Sequence, residues 1–153
     1  MSISVQKSDF VIGAEMDALG AEDFGAGAVA SFVGYVRGGD DGVSAMTLEH
    51  YPGMTEKSLA EIVAAARRRW QLRRVRVIHR VGRLVPGDRI VFVGVSSSHR
   101  GDAFAACEFI MDYLKTRAPF WKKEETAGGS RWVDARETDD KAADRWNARE
   151  ASD

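Results

Sequence analysis

The stretch Arg89 to Ser96 carries apolar side chains at odd and even positions alike: Ile90, Val91, Phe92, Val93 and Val95. A strand with one wet face alternates. A strand that is apolar on both faces must be covered on both, so this stretch predicts the central strand of a layered domain. It runs directly into Ser96-Ser97-Ser98-His99-Arg100-Gly101-Asp102 and then into a long helix with Phe104, Cys107, Met111 and Leu114 on its core stripe and Ile110 beside it. A buried strand feeding a helix start puts unpaired backbone N–H groups and a partial positive charge at that junction.

The other segments supply partners for this strand. Ile3 to Val5 predicts a short strand and Ala14 to Leu19 a brief helix. Gly27 to Val36 predicts a buried strand through Val29, Phe32, Val33 and Val36, ending at Arg37 and the loop Gly38-Gly39-Asp40-Asp41-Gly42. Val43 to Tyr51 is a further strand, broken by Tyr51-Pro52-Gly53. Leu59, Ile62, Val63, Ala66 and Trp70 then mark one face of a long helix that Pro52 or Thr55 can start. Arg73 to Val81 is a strand with Val75, Val77 and His79 on one side, and Leu84 to Asp88 turns the chain. Pro119 stops the second long helix. Phe120 to Glu125 and Arg131-Trp132-Val133 form a strand pair across Thr126 to Ser130. Mixed rather than strictly alternating elements define an α+β class. Residues 1–153 make one domain, with 137–153 a polar, partly helical tail.

Charge and cysteine content narrow the function. The net charge of -1 excludes bulk attraction to polyanions, so any anion site is a local patch. Met1 to Phe10 has no secretory pattern, and the single cysteine, Cys107, suits a reducing cytosol. The helical stripe places Cys107 in the core. No His/Cys/Asp/Glu spacing matches a zinc site, and no phosphate-binding loop or serine elbow is present.

Three groups of residues can carry chemistry. His99 and Arg100 at the helix start would reinforce an anion site, although serines that merely cap the helix explain the same segment equally well. Lys115, near the helix end, and Lys122, just past Pro119, can be folded toward each other by the proline turn. Two ammonium groups held close disfavour each other's charge, and such a lysine can act as acid, base or nucleophile. The plain alternative is that cations favour a helix C-terminus, and spacing alone leans that way. Arg37 sits where a strand meets a glycine-rich loop, a usual position for a binding residue. Arg67-Arg68-Arg69 and His79 are structural on this reading, and Glu49-His50 is no site by itself.

The same residues carry a resemblance. Phe32-Val33-Gly34-Tyr35-Val36-Arg37, Leu48-Glu49-His50-Tyr51-Pro52-Gly53-Met54, Ile78-His79-Arg80-Val81-Gly82, Pro86-Gly87-Asp88, Val91 to Arg100 and Met111 to Lys122 together resemble the molybdopterin synthase large-subunit family along nearly the whole chain. The resemblance implies an α/β hammerhead fold with an additional antiparallel β subdomain. It implies a cytoplasmic sulfurtransferase of molybdenum cofactor biosynthesis. Cyclic pyranopterin monophosphate receives two sulfur atoms and becomes the dithiolene. The sulfur arrives as a thiocarboxylate on the C-terminal glycine of a small ubiquitin-like carrier, and a homodimer of large subunits forms the core of a heterotetramer. Lys115 and Lys122 match the family's active-site lysines. Arg37, His99 and Arg100 match substrate-pocket residues, and Lys123 and Glu124 continue the pocket segment. Tyr35 stands where some relatives have a basic residue. The step implies no metal and no diffusible cofactor, because molybdenum enters later.

Two other readings share these residues. One is a phosphate-ester enzyme with His99 as base and Arg37 and Arg100 as phosphate clamps. The other is a non-catalytic module that docks a ubiquitin-like tail.

Overall fold

A computed structural model describes residues 2–39, 42–133 and 141–147. The central strand falls where the sequence puts it. β6 (Arg89–Ser97) lies between β4 (Val75–Arg80) and β2 (Ala28–Tyr35), with β1 (Ile3–Gln6) outside β4, giving the order β1-β4-β6-β2. β1 runs parallel to β4, and the other pairings are antiparallel. Two-faced apolarity is answered on both sides. Val91, Val93 and Val95 pack under α2 (Met54–Arg69) and α3 (Arg100–Arg117), while Phe92 packs with Phe10, Leu19 and Ile78 beneath α1 (Ile12–Gly20).

The second sheet is antiparallel throughout, in the order β5-β3-β7-β8: β5 (Gly82–Leu84), β3 (Ala45–His50), β7 (Phe120–Thr126) and β8 (Gly129–Val133). Sequence patterning passes over β5, because three residues are too few to show a period. Val36, Met46, Leu48 and Leu84 join the inner face of this sheet to Ile90 at the start of β6. The α+β class and the added antiparallel subdomain are both present.

Two expectations need correction. The predicted buried strand around Val29, Phe32 and Val36 is an edge strand. β2 has β6 on one side only among the described residues, and the layers that cover β6 leave Val29 and Phe32 exposed, with only Ala30 within the strand buried. Phe104 is likewise off the core, at 66% exposure. α3 buries Ala103, Ala106, Cys107, Ile110 and Leu114 and also Phe109 and Tyr113, so its contact face is rotated away from Phe104. That rotation follows the second layer packed on α3. Residues 141–147 are helical, and Trp146 is buried against Trp70 and Phe109 while its indole N–H donates to Asp112 at 2.6 Å. The rest of the predicted tail, 137–140 and 148–153, and Asp40-Asp41 of the loop after Arg37 lie outside the described residues.

The turn between α3 and β7 is fixed by one buried hydroxyl. Thr55 Oγ1, fully buried at the start of α2, donates to the Pro119 carbonyl at 3.0 Å and accepts the Tyr51 N–H at 3.2 Å. Thr55→Val keeps the shape and strands both groups. It is expected to cost about 1–3 kcal/mol, read as a lower denaturant midpoint at unchanged slope.

Candidate active site

β6 sorts the predicted site residues by which of its ends they lie near. At its C-terminal end, Ser97 pairs with Ala28, and His99 follows as the N-cap of α3. The serines do not cap this helix. Ser97 Oγ donates to the Gln71 carbonyl at 2.8 Å, Ser98 Oγ donates to the Gly25 carbonyl at 3.0 Å, and Ser96 Oγ accepts the Arg74 N–H at 3.0 Å. They tie the strand end to neighbouring loops instead. Gly27 donates its N–H to the Ser97 carbonyl, and a Cβ there would run into the Ser98 carbonyl. His99 and Arg100 are left exposed on a rigidly held helix start.

The other residues gather at the opposite end. β4 and β2 both run antiparallel to β6, so His79 pairs with Val91 and Tyr35 with Arg89. Arg37 therefore leaves the sheet where His79 does. Its entry is fixed by Val36, whose N–H donates to the Asp88 carbonyl at 2.8 Å and whose carbonyl accepts the Gly87 N–H at 2.9 Å. Val36 belongs to the apolar cluster on the inner face of the second sheet. On β7 that inner face presents Phe120, Lys122 and Glu124 opposite His50, Leu48 and Met46. Glu124 is 8% exposed, with Lys122 Nζ at 3.7 Å and Arg131 at 3.6 Å. Strand alternation puts Lys123 on the other face, over the Trp132 ring at 5.7 Å.

Lys115 comes to this end on the last turn of α3. Its charge acts on His79, the residue that sequence reasoning set aside as structural. His79 continues the row Val75, Val77 on the face beneath α2 and α3. Its ring stacks on Phe120 at 3.9 Å and 20°. His50 lies across from Phe120 and has Glu56 at 3.5 Å. Lys115 thus acts on the ring that stacks on partly buried Phe120, Lys122 follows Phe120 two residues along β7, and Arg37 leaves β2 at the same end of the sheet. The period-two row containing His79 was the available signal for this, but what meets its third member depends on the α3–β7 turn.

Along β6, with nine residues at about 3.3 Å each, the two ends are about 26 Å apart. Along α3, Arg100 and Lys115 are separated by about 22 Å. One chain does not bring His99 and Arg100 to Arg37. The phosphate-ester reading, which needs all three on one substrate, loses its geometry within a single chain.

A cleft of about 900 Å³ lies elsewhere, between α2, α3 and residues 141–147, lined by Ile62, Arg68, Arg69, Phe109, Tyr113 and Arg117. It is outside the lysine site and does not contain Lys115 or Lys122. No group of three or more His, Cys, Asp or Glu among the described residues is placed to hold a metal ion. No helix among them is long and apolar enough to cross a membrane.

A mixed four-stranded sheet covered by helices on both faces, with a second antiparallel sheet beside it, is an α+β scaffold of the hammerhead type. The chain belongs to the MoaE protein family, whose pattern matches residues 5–117. It is 65% identical over 147 residues to the molybdopterin synthase catalytic subunit of Ralstonia nicotianae, covering 95% of this chain and 84% of the relative. Among solved structures, it matches the molybdopterin biosynthesis MoaE protein of Burkholderia ambifaria at TM-score 0.83 and 60% identity, covering 95% of this chain and 97% of that one. It matches molybdopterin synthase of Staphylococcus aureus at TM-score 0.81 and 31% identity, covering 88% and 98%.

Burial holds His79 uncharged, with its pKa lowered from 6.5 to about 4. The Lys115 and His50 charges push the same way, and the hydrogen bond to the Arg80 carbonyl opposes them. The unfolded chain then binds a proton between pH 6.5 and 4 that the folded one refuses. Stability from this group is complete above pH 6.5 and falls as pH drops toward 4, by about 3 kcal/mol in all. Urea titrations across that window are expected to show the decline, and His79→Phe is expected to flatten it.

Proposed function

We propose that Lys115 and Lys122 are the groups through which this chain performs sulfur transfer. The function is that of the molybdopterin synthase catalytic subunit, a sulfur-transferring enzyme of molybdenum cofactor biosynthesis. The observation that carries the assignment is the His79–Phe120 stack, which joins the ring on which the Lys115 charge acts to the strand that carries Lys122 two residues on.

The chemistry fits these residue types. The carrier's terminal thiocarboxylate is an anion, and the cyclic pyranopterin monophosphate brings a phosphate. Lys115 holds the thiocarboxylate while its sulfur attacks a side-chain carbon of the pterin; as the C–S bond forms, a C–O bond on that carbon breaks, and Lys115 supplies a proton to the departing oxygen. Lys122, oriented by the buried Glu124, supports it. An acyl link between substrate and carrier follows, and water hydrolyses it to free the carrier. A second carrier delivers the second sulfur. Arg37 holds substrate anion through charge-assisted hydrogen bonds. His99 and Arg100 do the same in the site of a second copy, since about 22 Å of helix keeps them from Lys115 of their own chain. Lys123, beside Trp132 on the outer face of β7, lies along the path of the carrier tail. The working assembly is a homodimer of this chain with one carrier at each end, in the cytoplasm. Residues 1–153 act as one domain.

The carrier must supply the sulfur, because this chain has no thiol suited to relay it. Its single cysteine, Cys107, is buried under α3, and burial pushes the thiol up to about 12. Reactive cysteines are thiolates with access to solvent, and Cys107 is neither.

Purified chain, thiocarboxylated carrier and cyclic pterin precursor form the test. Lys115→Ala is expected to lower dithiolene formation at least a hundredfold while carrier binding stays intact. Wild-type turnover by that variant overturns the assignment. Carrier binding without product in the wild-type chain supports the docking reading, and phosphate release without carrier supports the esterase reading. Cys107→Ala is expected to transfer sulfur at the wild-type rate per folded molecule, and loss of transfer with the fold intact would place the thiol in the path.

A further inference from the structure

We propose that His79 is a positioning residue for the lysine pair. Clamped between the Arg80 carbonyl and the Phe120 ring, it fixes the start of β7, and with it Lys122, against the end of α3 that carries Lys115. The proposal rests on the reading that those two lysines perform the transfer.

The packing row makes the case. Val75, Val77 and His79 occupy successive same-face positions on β4, opposite Val95, Val93 and Val91 of β6. The first two meet the apolar undersides of α2 and α3. A third valine would continue that core at no desolvation cost. The chain instead buries an imidazole at 5% exposure, and a buried polar ring is unfavourable unless its hydrogen bonds are met. His79 Nδ1–H donates to the Arg80 carbonyl at 2.8 Å. A carbonyl can only accept, so this bond fixes the tautomer and leaves Nε2 as a lone pair.

The ring then does what a valine cannot. It stacks face to face on Phe120, the first residue of β7. Phe120 is also held by its pairing with His50 and by its N–H to the Ala118 carbonyl at 2.9 Å. Lys122 follows two residues on, on the same face and about 7 Å along the strand. A shift of the Phe120 ring would therefore be passed to Lys122 through one rigid dipeptide.

Charge explains the choice of imidazole. The charged or titratable groups around His79 are Lys115 from α3, His50 from β3 with Glu56 of α2 behind it, and Lys122 further along β7. A cation there would repel the ammonium groups of both lysines and disfavour their charged forms. An aromatic ring that stays uncharged at neutral pH braces the site without adding one.

The test uses the complete transfer assay with His79→Ala, His79→Phe and Lys115→Ala. Circular dichroism reports the folded fraction, and carrier affinity is measured separately. His79→Ala is expected to lower kcat roughly ten- to a hundredfold, with pterin KM and carrier affinity unchanged. His79→Phe, which keeps the stack, is expected to recover most of kcat. The proposal is overturned if His79→Ala turns over normally, if its loss equals its unfolded fraction, or if folded His79→Phe is as slow as His79→Ala. Should His79→Ala fail to fold, a folded but slow His79→Phe overturns it and a near-normal one supports it. Normal turnover by Lys115→Ala overturns the lysine reading and this proposal together. An inactive Lys115→Ala beside normal His79 variants overturns this proposal alone.

Discussion

Everything about this site follows from β6 being held on all four sides. Strands pair with both its edges and helices cover both its faces, so it cannot bend or slide. Its length then acts as a spacer. The helix start after its C-terminal end carries His99 and Arg100, and the strands that end beside its N-terminal end deliver Arg37 and His79. Because α3 folds back along the sheet, its far end returns Lys115 to the Arg37 end. A single strand–helix unit therefore presents two cationic patches at its two extremes. They can serve one substrate only if two copies of the chain meet.

Much of this was legible in the sequence because it depends on local pattern. The two-faced run from Ile90 to Val95, the α2 face of Leu59, Ile62, Val63 and Ala66, and the proline stop before β7 are properties of neighbouring residues. The expectations that failed depended on what lay outside the segment. Val29 and Phe32 have the apolarity of a buried strand, but side-chain burial needs a layer packed on the sheet's face at that point, and at the β2 edge these two stay exposed. Phe104 sits at a plausible stripe position, yet Phe109, Tyr113 and Trp146 turn the helix to a different face. Capping was one of two equal readings of the serines before His99, and the loops at Gly25, Gln71 and Arg74 claim them instead.

The site shows the same division. Lys115 and Lys122 were legible as candidates through the family resemblance, while their spacing alone leaned toward cations that simply favour a helix C-terminus. His79 and Phe120 were not, because a stack between β4 and β7 spans two sheets. Residue chemistry alone made His79 unremarkable, and its neighbours give it significance. A buried imidazole with its pKa near 4 contributes shape and polarity but no charge. Cys107 follows the same logic in reverse: a reactive group in principle, made inert by the helix that covers it.

The central claim, that each complete site takes His99 and Arg100 from one copy and Lys115 from the other, is tested most directly by mixing inactive variants. Arg100→Ala and Lys115→Ala chains, each inactive alone, are unfolded together, refolded as mixed dimers and assayed for dithiolene formation. In a mixed dimer one site loses both residues and the other keeps both. The account predicts that activity returns, approaching a quarter of the wild-type value when the two chains pair at random, on the order expected for one intact site in half of the dimers. Mixed dimers that form fully and stay inactive would contradict it.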